Sequence, residues 1–148
     1  MRAVVQRVKN ATLTVNNNVI SKIDNGLLVF LGIKKDDTQK DANYLAEKIP
    51  KLRIFDDENG KTNLSVLDVG GQVLLVSNFT LYANTKGTNR PDFCYAAGRD
   101  IALPMYEYFA SVVKEKVPTQ LGMFGEDMQI DVHLDGPFTI LLDSENKI

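Results

Sequence analysis

The sequence contains one cysteine and one histidine in 148 residues, and that scarcity removes whole classes of chemistry. Cys94 alone cannot form an internal disulfide or a Cys-x-x-Cys redox pair, and a Cys/His zinc site lacks ligands. With His133 the only imidazole, a Ser-His-Asp arrangement has no spare base. His133 lies between Val132 and Leu134 in an alternating segment, which points it away from the core as an ordinary surface histidine. Cys94 has no second thiol or histidine near it in sequence and reads as an unreactive thiol. No apolar run approaches the roughly 18 residues of a membrane span, and "MRAVVQRVKN" has no apolar leader region. The expectation is a cytosolic chain with no membrane or DNA partner and no metal or cofactor. No linker, repeat or low-complexity stretch divides it, so residues 1–148 are expected to form a single domain. The net charge of −2 neither demands nor forbids a nucleic-acid partner, because local clustering of Lys and Arg decides that.

The chain that remains has an α+β pattern. "RAVVQRV" and "ATLTV" alternate as strands do, "NNN" signals a turn before "VISKI", and Asn25-Gly26 signals a further reversal before "LLVFLGI". Asp37 and Thr38 can cap a helix over about 39–52, with Ala42, Leu45, Ala46, Ile49 and Leu52 as its apolar stripe and Pro50 breaking its last turn. "GQVLLVSNFTLYA" returns to a strand, and "NTKGTNRPDF" is a turn-rich loop. A second helix is predicted from about 100 to 116 through Ile101, Met105, Tyr108, Phe109 and Val112, with Pro104 in its first turn. "MQIDVHL" and "FTILLD" predict two more strands separated by Asp135-Gly136-Pro137. Hairpin links predict a mainly antiparallel, β-barrel-like sheet with two main helices packed outside.

Two segments carry more than scaffold. In "SNFTL", residues 77–81, hydroxyl and amide side chains interrupt an apolar strand just before a loop; the plain alternative is a strand end meeting solvent. In "VHLDGPFTILLD", residues 132–143, Gly-Pro stands in an otherwise strand-like run, where proline has no ladder donor. A tight turn is the plain alternative. An X-Pro bond is also the kind that adopts cis at small cost, about 0.5 to 1 kcal/mol, which here would turn successive carbonyl oxygens out of the sheet.

Taken together, "MRAVVQRV", "GLLVFLGI" (26–33), "SNFTLYA" (77–83), "NRPDF" (89–93), "FGEDM" (124–128) and "DGPFTILLD" (135–143) resemble, in order and spacing, the D-aminoacyl-tRNA deacylase family. The resemblance spans nearly the whole chain. It implies a homodimer that acts on the acceptor end of D-aminoacyl-tRNA, with a cis Gly136-Pro137 pair inserted into the partner subunit's active site as a chirality probe. Two backbone carbonyls there would accept from the α-ammonium and leave no room for an L side chain; glycine, lacking a side chain, would escape rejection. Arg7 matches the arginine that holds the carbonyl pair. Thr80 matches the position given a direct catalytic role, with Phe79 walling the pocket and Ser77 shaping it. Asn78 is expected as a further substrate contact, Phe124 and Met128 either line the substrate pocket or belong to the core, and Lys86 and Arg90 are candidates for tRNA contact within a basic rim with Lys34, Lys35 and Arg99, for which a solvated face is the plain alternative.

Two mechanisms fit Thr80: nucleophilic attack by its hydroxyl, or backbone donors to the ester carbonyl with the ribose 2′-hydroxyl helping to activate water. The second is favoured, because no base adjoins the hydroxyl in sequence. Three positions depart from the family pattern. Asn78 stands where glutamine is usual, Thr88 displaces the usual order of the basic loop, and Glu126 stands where a small residue is common. The rival readings are a non-catalytic binding module needing the carbonyl pair without Thr80, and an esterase for small D-amino acid esters needing no RNA.

Overall fold

Residues 2–32 form one bent antiparallel ribbon at the centre of the molecule, for which the computed structural model describes residues 1–147. β1 (Arg2–Val15) turns at Asn16 and Asn17, at φ 48° and 63°, into β2 (Asn18–Ile23), and β3 (Gly26–Gly32) follows. Asparagine suits that turn because its short polar side chain tolerates the left-handed region. β2 pairs with the second half of β1 and β3 with the first half, both antiparallel. The chain therefore keeps its direction through Asn25-Gly26, and the predicted reversal there does not occur. Gly26 serves close approach instead: a Cβ on it would lie 1.9 Å from the carbonyl oxygen of Gln72.

The rest of the sheet is reached by crossovers. α1 (Gln39–Lys48) runs into a 3-10 turn, Ile49–Lys51, and a small hairpin of β4 (Phe55–Asp56) and β5 (Thr62–Leu64) precedes β6 (Gln72–Ser77). α2 (Arg99–Lys114) then leads to β7 (Thr119–Leu121), and β8 (Gln129–Asp143) returns antiparallel along β1. β6 is parallel to β3, and β7 is parallel to β6. The sheet, in order β2-β1-β3-β6-β7 with β8 on the other side of β1, is thus mixed, which corrects the mainly antiparallel expectation. Helical crossovers, unlike two-residue hairpins, bring the chain back in the same direction. The sheet curls until the Ser21 hydroxyl of β2 donates to the Leu121 carbonyl of β7 at 2.5 Å, an almost closed barrel with both helices outside it.

Curling makes two cores. Val8, Ala11, Leu13, Ile23, Leu28, Leu74 and Val76 fill the barrel side, while Val5, Leu27, Val29, Leu31 and Leu75 face Leu45, Ile49, Phe109 and Val113 of the helical layer. β3 is buried on both faces, which explains its unbroken apolar run.

Local signals account for most element ends. Thr38 is the N-cap of α1, and its amide donates to Asp41 Oδ2 at 2.9 Å, a contact of a kind that contributes about 1 kcal/mol. Asp37 does not cap; its carboxylate takes the Met1 ammonium at 2.6 Å and the Lys34 amide at 2.6 Å. Pro50 sits in the 3-10 turn that ends α1, as its missing donor requires. The helix predicted to residue 52 ends at Lys48: Ala42, Leu45 and Ala46 are its buried stripe, while Ile49, also buried, lies in the 3-10 turn and half-buried Leu52 follows it. In α2 the buried face is Ala102, Tyr106, Phe109, Ala110 and Val113, and Ile101 is exposed. The expected stripe was rotated by about one residue, since Met105, Tyr108 and Val112 only flank the core. Pro104 lies in the second turn, because the helix starts at Arg99, so one backbone bond to Asp100 is lost.

Candidate active site

β6 ends at Ser77, where the extended pattern predicted for "SNFTLYA" gives way to a 3-10 turn, Phe79–Tyr82. Asn78 causes the change. Its side-chain oxygen accepts from the Thr80 amide at 3.3 Å and from the Thr80 hydroxyl at 2.5 Å, so it closes the turn as an N-cap does. Phe79, first residue of the turn, has an amide that no intrahelical bond can use; the residue is 54% exposed and its ring stands edge-on to Phe93, centroids 4.9 Å apart. The end of β6 thereby presents together an N–H without a partner among the described residues, a hydroxyl and an aromatic ring.

Beside this turn opens a cleft of about 480 Å³, lined by Ser77, Asn78, Phe79, Phe124 and Met128 of the predicted set and, from the sheet, by Phe30, Val76 and Ile130. The walls are mainly apolar. Phe124 is held by Tyr106, ring centroids 5.7 Å apart, and by the Arg99 guanidinium at 5.3 Å. Burial pushes the Tyr106 phenol far up, and as a neutral donor it binds the Leu75 carbonyl at 2.8 Å, tying α2 to the strand that carries the site. Gly125, at φ 79°, lets Arg99 approach, since a Cβ would meet Nη1 at 2.7 Å. Arg99, Glu126 and Asp127 line the cleft as well. The sequence places Arg99 only on a basic rim; its position in the cleft, over the Phe124 ring and beside Gly125, is tertiary.

The remaining predicted residues lie elsewhere. Thr80 stands on the turn just outside the cleft lining. Lys86 and Arg90 are exposed on the loop between the Asn84 and Asp92 bridge, away from the cleft walls. Cys94 is exposed, and its thiol is pushed up by a hydrogen bond with Asp92; His133 is exposed too. Neither adds a nucleophile or base to the cleft.

Gly136 and Pro137 are also exposed and do not line the cleft. Their peptide bond is cis. They do not separate two strands, as predicted, but lie inside the single strand β8. Gln6 pairs with Thr139 and Val8 with Leu134, so Arg7 alone faces the four residues Asp135 to Phe138. That bulge switches the strand between cores: Ile130 and Val132 pack on the barrel side, Phe138 and Ile140 on the helical side. The proline's missing donor costs little there, because a bulge leaves residues out of the ladder. Arg7 is buried. It donates from Nη1 to the Ile54 carbonyl at 2.7 Å and from Nε to the Asp135 carbonyl at 3.2 Å, and its guanidinium lies 4.8 Å from the Phe138 ring centre. Arg7 is thus a buried structural contact and not a solvent-exposed strand arginine.

Comparison with known proteins bears on family and fold. The family model described as D-Tyr-tRNA(Tyr) deacylase matches residues 4–143. D-aminoacyl-tRNA deacylases of Parabacteroides distasonis and Thermus aquaticus are each 51% identical to the chain, over 99% of it and over 99% and 97% of their own lengths. Among solved structures, one described as c-Myc DNA Unwinding Element Binding Protein matches at TM-score 0.92 and 41% identity, covering 97% of this chain and 98% of its own. A probable eukaryotic D-amino acid tRNA deacylase matches at TM-score 0.80 and 17% identity, covering 95% and 97%, and so shares the fold. With a family match over nearly its full length and relatives at half identity, the chain belongs to the D-Tyr-tRNA(Tyr) deacylase family.

Proposed function

We propose that this protein hydrolyses the ester bond of D-aminoacyl-tRNA in the cytoplasm, acting as a homodimer in which Gly136 and Pro137 of each subunit complete the other's cleft. The observation that carries the reading is a separation. The cleft at the end of β6 and the exposed Gly136-Pro137 bulge are both built in one chain, yet they do not meet within it. A second copy brings them together.

In this reading the terminal adenosine and aminoacyl group enter the apolar cleft between Phe79, Phe124 and Met128. The Phe79 amide, with the Thr80 segment, donates to the ester carbonyl oxygen as negative charge develops there. Thr80 is not the nucleophile, because its hydroxyl donates to an amide oxygen, Asn78 Oδ1, which is no base. Water attacks, assisted by the ribose 2′-hydroxyl. An aminoacyl ester is already activated, so positioning and oxyanion stabilisation carry the rate. Carbonyls of Gly136 and Pro137 accept from the α-ammonium and exclude L side chains. Glycyl-tRNA passes, and amino acids are otherwise read only at Cα. Lys86 and Arg90 contact the acceptor strand, so affinity falls with salt.

The test is hydrolysis of matched D-tyrosyl- and L-tyrosyl-tRNA by the purified protein, with glycyl-tRNA alongside. Loss of the D and glycyl esters with the L ester spared is expected. Equal, negligible loss of all three would refute the reading. A substrate ending in 2′-deoxyadenosine, cleaved as fast as its ribose counterpart, would refute the RNA-assisted step alone.

A further inference from the structure

A bulge gives up ladder hydrogen bonds, so something else must fix where its residues point. Around Gly136-Pro137 the fixing contacts converge on one side chain. Asp135 Oδ2 lies 3.2 Å from Arg7 Nε and 3.3 Å from Lys9 Nζ, while the Asp135 carbonyl accepts from the same Nε at 3.2 Å. The residue immediately before Gly136 is thus held through both its backbone and its carboxylate. Phe138, at the other end of the bulge, lies against the same guanidinium.

The contacts are not equal. The Arg7 and Asp135 side chains are 10% and 25% exposed, whereas Lys9 is 56% exposed. Water screens the lysine contact and leaves it weak, while the arginine contact is a more sheltered ion pair, the Nε–H itself donating to the Asp135 carbonyl. Asp56, the other carboxylate near Arg7, is 3.8 Å away and 54% exposed, so it cannot substitute. We infer that Asp135 is a positioning residue for stereochemical selection: its carboxylate, locked on Arg7, sets the direction in which Gly136 and Pro137 present their carbonyls. It touches no reacting atom. This inference rests on the proposed role of Gly136-Pro137 as the reader of chirality.

The experiment compares single-turnover hydrolysis of D-tyrosyl- and L-tyrosyl-tRNA by the wild type and by Asp135→Asn, Asp135→Glu and Lys9→Met. Asp135→Asn keeps the shape and removes the charge. It is expected to lower the D-over-L rate ratio about tenfold, through loss of the ion pair with Arg7 and chiefly by raising L-ester hydrolysis. Asp135→Glu keeps the charge but displaces it by a methylene, so the ratio falls with thermal stability retained; it carries the test if the Asn variant does not fold. Lys9→Met is expected to leave the ratio within about twofold. A purely structural role for Asp135 would lower both rates together and leave the ratio unmoved. A discriminating wild type whose ratio survives both Asp135 variants overturns this inference alone. A wild type with no D-over-L preference overturns the proposed function instead.

Discussion

Arg7→Met should be among the more damaging single substitutions in this protein, and its effect can be worked from contacts. Methionine has the volume to occupy the space but none of the donors. Its introduction leaves the Ile54 carbonyl, which accepts at 2.7 Å, and the Asp135 carbonyl, which accepts at 3.2 Å, without the guanidinium, and each unsatisfied buried acceptor costs about 1–3 kcal/mol. The Asp135 carboxylate loses its sheltered partner and keeps only Lys9. With only the Ile54 contact fully buried and Asp135 a quarter exposed, these give a destabilisation of about 2–4 kcal/mol. Urea unfolding at matched protein concentration measures it, with an unchanged denaturant slope confirming that the native state is what has weakened. A loss below about 1 kcal/mol would mean that water satisfies both carbonyls and would refute the argument that Arg7 pins the bulge.

Gly26→Ala should prevent stable folding or lower the melting temperature sharply, because its Cβ would lie 1.9 Å from a backbone oxygen of β6; Gly60→Ala, at φ 73° with open space around it, should cost only about 1 kcal/mol in a thermal melt. Thr80→Ala should reduce kcat on D-tyrosyl-tRNA by less than about a hundredfold, since backbone donors survive it, whereas a loss near ten-thousandfold in single-turnover assays would restore the nucleophile mechanism. The Asp143 carboxyl is held below its ordinary value: burial pushes it up, but hydrogen bonds from Arg2 and from the Asn146 and Glu145 amides outweigh that. A depressed native pKa stabilises above the unfolded value and the benefit is lost as pH falls through the native one, so the stability gap between wild type and Asp143→Asn should close below about pH 4 in acid unfolding. Cys94, raised by its hydrogen bond with Asp92, should react with iodoacetamide at pH 8 more slowly than free cysteine, and Asp92→Asn should speed it; equal rates would contradict the pairing.

Much of the local structure was legible because it depends on short-range chemistry. Thr38 before α1, Pro50 at its end and the polar interruption at Ser77-Asn78 act within a few residues of themselves. Asn78 shows where local reading falls short: its type marks a cap as well as a strand end, and only the hydrogen bond it makes to Thr80 decides between them. Arg99 shows a second limit, since nothing near it in sequence says that Phe124 and Gly125 will close over it.

The sequence by itself determined where the long strands and the two helices lie, and that the chemistry must work without a thiol pair or a cysteine-rich metal site, because composition and local periodicity act through neighbouring residues. Tertiary structure alone decided strand direction and company. Asn25-Gly26 is a turn signal that became a point of close strand approach, and Gly136-Pro137 is a turn signal that became a bulge facing Arg7. The physical reason is the same in both places. A glycine permits several backbone conformations at little cost, and the one adopted is selected by burial and hydrogen bonding to residues far along the chain, Gln72 in one case and Arg7 in the other.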